Sequence, residues 1–92
     1  MALGIYLAHV AFTAEKYNSA IKQLEDAGAG SPKGRTLHVA LDSGDGGINV
    51  FDIWESHEDF EAFGATLMPI LTELGVSLQE PMVATVHNVI QG

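Results

Sequence analysis

Two positions in this sequence carry more polarity than packing requires: His38 inside the alternating run RTLHVAL, and Asp52 on the apolar stripe of INVFDIW. An imidazole changes charge near physiological pH, so His38 can act as a general base or orient a phenolic or enolic ligand. The structural alternative is a hydrogen-bonded interior histidine with no chemistry. A carboxylate among apolar side chains costs free energy unless it is paired or solvated. Asp52 therefore either bonds His38 or Arg35, holding an imidazole in one tautomer, or lies at a wet mouth or between two copies of the chain. Trp54 ends the same stretch, and its bulky ring with an N–H that needs a partner suits a pocket wall or a packed joint. Tyr17 can lend a hydroxyl to a cavity, although its spacing with Ile21 and Leu24 also fits a helix core. His9 and His87 fall on strands that can be neighbours and, with His38, raise the question of a metal. No pair shows a local ligand spacing, so they are read as ligand-contacting and not as metal ligands.

Several chemistries are excluded by what the sequence lacks. With no cysteine there are no disulfides, thiolate zinc sites or thiol nucleophiles. The serines sit mainly in loops, caps or a helix surface, and no Ser-His-Asp pattern is recognisable. The segment GAGSPKG, from Gly28 to Gly34, lacks the Lys-Ser/Thr ending of a phosphate-binding loop. DSGDGG, from Asp42 to Gly47, lacks the ligand spacing and terminal Glu of a calcium loop and reads as a turn. Without a nucleotide or flavin fingerprint, any reaction must run on the reactivity of the substrate and on acid-base groups, with no cofactor.

Four basic against twelve acidic residues give a net charge of −8, which repels phosphate backbones and anionic membranes. Neither nucleic acid nor a membrane is expected as a partner. No apolar run approaches the about 20 residues that span a bilayer, and MALGIYLAHV lacks a signal-peptide pattern, so a cytoplasmic protein is expected. The 92 residues are read as one domain, 1–92, with 47% hydrophobic and only 17% charged residues. That is a heavy apolar load for so small an interior, and it points to self-association.

The elements that position these residues follow from period and punctuation. Leu3 to Ala11 is apolar on both sides, as in a central strand. Thr13 caps a helix with Glu15 in its first turn and Phe12 and Tyr17 at staple spacing, and Gly28 closes it. Arg35 to Leu41 is a second strand, with Leu37, Val39 and Leu41 on one side and Thr36, His38 and Ala40 on the other. A hairpin turn leads into a third strand, Ile48 to Trp54, which puts Ile48, Val50, Asp52 and Trp54 on one face. Ser56 caps a helix from His57 to about Leu74, in which Pro69 is expected to cause a kink or a split. Met82 to Ile90 is the fourth strand.

This β-α-β-β-α-β order is that of an α+β, ferredoxin-like domain in which two helices cover one face of a four-stranded antiparallel sheet. The large aliphatics Leu37, Val39 and Leu41 are expected under the helices. His38 is then expected on the uncovered face, inside a chamber closed by a second copy.

The quoted stretches also carry a family likeness. A strand ending in DIWES, a helix with FEAF and a central LMP, a closing VHNVI, the FTAEKY helix entry and the GRTLHVA strand start together resemble the dimeric α/β-barrel superfamily typified by antibiotic biosynthesis monooxygenases. The likeness runs over nearly the whole chain. It implies a homodimer with an interior pocket, in a group that includes cofactor-independent quinone-forming oxygenases, haem-degrading enzymes and isomerases. Trp54 matches the Trp that lines the pocket in many members, and Asn49 is the candidate counterpart of an Asn near it in some oxygenases. Haem-degrading members carry an iron-ligating His on the following helix, where this chain reads Phe63-Gly64-Ala65, so no haem is expected. The resemblance implies binding of a small apolar or aromatic molecule and cofactor-independent monooxygenation of an aromatic or polyketide-like substrate. His38 and Asp52 are the catalytic candidates, with Trp54, Tyr17, His9, Asn49 and His87 contacting substrate. The alternative is a non-catalytic metabolite-binding or assembly module of the same fold.

Overall fold

The computed structural model describes residues 2–10, 12–44, 47–78 and 80–92, with His9, Val10 and Leu78 described by backbone alone. The expected strand end at Ala11, the turn residues Asp45 and Gly46, and any role of the His9 side chain lie outside the described residues.

Four strands form an antiparallel sheet: β1 (Leu3–Leu7), β3 (Arg35–Asp42), β4 (Ile48–Trp54) and β6 (Met82–Thr85), in the spatial order β3-β4-β1-β6. A two-residue pair, β2 (His9–Val10) with β5 (Ser77–Leu78), stands apart from it. The expected strand from Leu3 to Ala11 is thus interrupted at Ala8. The last strand stops at Thr85 and not at Ile90, leaving an exposed tail without regular structure.

Helices α1 (Ala14–Asp26) and α2 (His57–Glu73) have the expected caps. The Thr13 and Ser56 side-chain oxygens accept from Lys16 N and Asp59 N, supplying orphan first-turn amides with acceptors. Gly28 and Gly75 follow the helix ends at φ +77° and +75°, a region where a β-carbon is strained. Phe12 and Tyr17 meet edge to face with ring centroids 5.7 Å apart, closing the staple. Of the kink or split expected at Pro69, the split does not occur, since α2 runs through it as one helix.

Both helices cover one face of the sheet. Ile5 and Leu7 of β1 and Ile48, Val50 and Trp54 of β4 are buried against Ala20 and Leu24 of α1 and Phe63 and Leu71 of α2. The fold is ferredoxin-like, as expected, but one assignment of faces is reversed. His38 lies under the helices, while Leu37 and Leu41 are 43% and 47% exposed on the open face. Alternation distinguishes two faces of a strand without saying which is roofed. On this outer strand the roofed side carries the imidazole because its polar partners, Tyr17 and Asp52, are there. His38 therefore faces a cavity inside one chain, and not the open face on which a second copy was expected to close a chamber.

Candidate functional site

β3 and β4 pair so that His38 is the cross-strand neighbour of Asp52. Directly opposed side chains on a sheet stand within reach of one another, and His38 Nδ1 lies 2.6 Å from Asp52 Oδ1. The carboxylate is only 3% exposed, so an ionised Asp52 needs this donor. With Nδ1–H donated to the carboxylate, the neutral ring offers Nε2 as an acceptor. The Tyr17 hydroxyl, reaching across from α1, donates to it at 2.7 Å. The two rings are nearly parallel, 5° apart, with centroids 6.0 Å apart. Burial raises the Tyr17 pKa above its ordinary 10.0; the Arg35 charge pulls it down and the Asp52 charge pushes it up. Tyr17 therefore stays a proton donor at neutral pH. Asp52, His38 and Tyr17 form a linear relay.

The relay opens on a cavity of about 40 Å³ between the sheet and the helices. Its polar lining is Tyr17, Arg35, His38 and Asp52; the apolar lining includes Leu7, Ile21, Leu24, Phe63, Leu67 and Leu71. An apolar concavity with a few converging polar groups is the general form of a small-molecule site.

Arg35 enters the cavity through an irregularity of β3. It pairs with Trp54 whereas Leu37 pairs with Ile53, so the register shifts and Thr36 is the extra residue of a bulge. Bulges re-aim neighbouring side chains. Here the shift moves Arg35 off the face of Leu37 and onto that of His38, while the Thr36 hydroxyl donates to the Ile53 carbonyl at 3.3 Å. The guanidinium lies 5.7 Å from the Phe63 ring centroid and donates to the Gly30 carbonyl at 3.1 Å. Regular alternation from Arg35 to Leu41 hides the bulge, which is why the sequence names Arg35 only as a possible partner of Asp52.

The other expected site residues are dispersed. Trp54 is fully buried against Phe60 and Phe63, at centroid distances of 5.7 and 5.3 Å, and does not line the cavity. Of the two readings of Trp54, the structure has the packed joint, and among the described residues its indole N–H has no hydrogen-bond partner. Asn49 is on the opposite face of β4 from Asp52, across from Leu41 of β3. His87 borders a shallow groove on that open face, with Tyr6, Leu37, Phe51 and Met82. His38 and His87 thus do not converge. Among the described residues there is no group of three or more His, Asp or Glu placed to hold a metal, and no helix is long and apolar enough to cross a membrane.

No family model and no curated protein matches this chain. Solved structures do. A candidate antibiotic biosynthesis monooxygenase from Chloroflexus aurantiacus J-10-fl superposes with a TM-score of 0.68 at 18% identity, covering 99% of this chain and 98% of the other. SnoaB, a cofactor-independent oxygenase from Streptomyces nogalater, gives 0.65 at 18% identity, covering 99% and 97%. A candidate antibiotic biosynthesis monooxygenase from Deinococcus radiodurans gives 0.62 at 14% identity, covering 99% and 97%. At these identities the likeness is one of architecture: the chain has the ferredoxin-like fold of antibiotic biosynthesis monooxygenase-like proteins along almost its full length.

Proposed function

We propose that this protein binds a small molecule bearing a hydroxyl on an unsaturated carbon and removes its proton, as the opening step of a cofactor-independent monooxygenation. The observation that carries this reading is the Asp52–His38–Tyr17 relay ending in an apolar cavity. A phenolic or enolic ligand donating to the Tyr17 oxygen loses its proton as Tyr17 passes its own to His38 Nε2, and Asp52 holds the resulting imidazolium. The ligand is left as a phenolate or enolate, electron-rich enough to reduce molecular oxygen itself. One oxygen atom then enters the product and the other leaves as water, with the electrons supplied by the ligand. Architectural likeness to a cofactor-independent oxygenase supports the choice of reaction by analogy alone.

Cavity size bears on the substrate. Apolar cavities of ~150 Å³ accommodate benzene, so at about 40 Å³ this one must widen to accept a single ring. A polycyclic polyketide would require the helices to part from the sheet. The same small volume favours the second reading, a non-catalytic binding module.

The open sheet face supports a second copy as its cover. Leu37, Leu41 and Met82 are exposed there, and a domain this small gains from hiding such a surface. In this reading the protein is a homodimer with its sheets face to face.

Oxygen uptake with a panel of single-ring phenols and small enols decides the matter. Uptake that falls about a hundredfold or more in His38→Ala while binding persists supports the oxygenase; uptake unchanged in that variant removes the role of the relay. Binding without uptake leaves the module.

A further inference from the structure

We propose that Arg35 makes this cavity hold the ionised form of its ligand more tightly than the neutral form, so that the phenolate or enolate oxygen left when the relay removes the proton is retained in the site. The proposal rests on the reading of the cavity as a ligand site and adds a chemical requirement to it.

Arg35 is the only arginine in the sequence. In a chain with twelve acidic residues, a guanidinium would ordinarily find a carboxylate. Among the described residues it has none, since the ion pairs are His38–Asp52 and His57–Glu61. One hydrogen bond to Gly30 O and the Phe63 face hold its plane, leaving most of its donors without a partner among the described residues. A bulge is what turns it inward, at the cost of a regular ladder next to the relay. A partly buried guanidinium with spare donors, at the edge of an apolar cavity, is suited to receive an oxyanion. It stands beside the relay that would produce one, and its charge already acts on the Tyr17 hydroxyl. The chain as a whole carries −8 and repels anions, so any preference for an anionic ligand must come from a local cation. Among the described residues of the cavity lining, the one fixed cation is Arg35.

The test uses p-nitrophenol, whose ionised form has its own visible band, and nitrobenzene, which has the same ring and no proton to lose. Binding is followed by quenching of Trp54, the only tryptophan, and ionisation of the bound phenol by its absorbance across pH. The wild-type protein is expected to bind nitrophenolate about tenfold or more tightly than neutral p-nitrophenol, the scale of one charge-assisted hydrogen bond. Arg35→Gln should abolish that preference and bind nitrobenzene as wild type does, and Arg35→Lys should retain part of it. Wild-type binding of both probes with no preference for the anion overturns the role of Arg35 while leaving the ligand site intact, and so does a preference that survives Arg35→Gln. Failure of the wild type to bind either probe overturns the ligand site and this inference together.

Discussion

His38 and Asp52 are cross-strand partners whose Nδ1 and Oδ1 atoms lie 2.6 Å apart beneath α1, with the carboxylate almost wholly out of water. Neither residue is at ease alone. His38→Ala leaves a buried carboxylate without its donor and should cost about 3 kcal/mol or more, measured by urea unfolding at neutral pH. The double variant His38→Ala/Asp52→Ala should lose less than the sum of the two single losses, because the unpaired charge is gone. Additive losses would show that the pair is not coupled.

Asp52→Asn tests the carboxylate's charge separately from its orienting hydrogen bond to His38. An amide can still accept from Nδ1–H but cannot stabilise an imidazolium. Proton removal from a bound ligand should therefore slow about a hundredfold or more, with the midpoint of ligand binding nearly unchanged. The rate at which a bound phenol ionises, followed by the phenolate absorbance after a pH jump, reads this directly, and an unaltered rate contradicts the relay.

Tyr17 supplies a pH dependence. Its pKa is raised in the folded chain, chiefly by burial, so the stability it contributes is fully present below the ordinary 10.0 and is lost as pH climbs through the folded value. Alkaline unfolding curves should show wild type losing stability above that point and Tyr17→Phe losing less. The tyrosinate absorbance step that disappears in Tyr17→Phe should lie above pH 10.0; a step below it refutes the assignment.

Trp54 buries an N–H with no acceptor among the described residues, and such a group costs about 1–3 kcal/mol. Trp54→Phe removes that penalty along with part of the ring, so its net cost should stay below about 2 kcal/mol, whereas Trp54→Ala should cost about 3–5 kcal/mol. Equal losses in the two variants would mean that the indole N–H is satisfied in solution.

On the open face, Phe51→Asp places a charge where the proposed second copy would pack. Light scattering should find wild type dimeric at micromolar concentration and the variant monomeric. Wild type that is monomeric at that concentration ends the homodimer reading.

Much of the fold could be read from local signals. Thr13, Ser56, Gly28 and Gly75 mark helix ends through the chemistry of single residues, and these ends are where the structure has them. The cross-strand meeting of Asp52 with His38 was one of the alternatives that burial of a carboxylate allows. Sidedness was not legible, because Leu37 and His38 alternate identically whichever face the helices cover. The bulge was hidden too, since Thr36 suits a regular strand as well as an irregular one, and its effect on Arg35 depends on pairing with β4. The strand break at Ala8 and the early stop at Thr85 reflect which segments find a partner strand, a property of the assembled sheet more than of either segment.

Pro69 has a bearing on how the cavity can be entered. It cannot donate the amide that would bond the carbonyl of Ala65, one turn earlier in α2. Leu67 and Leu71, two of the side chains that roof the cavity, flank it. The helix that forms the ceiling therefore lacks one backbone bond on its exposed side, at Ala65 and Pro69, and it can flex there without breaking a bond it never made.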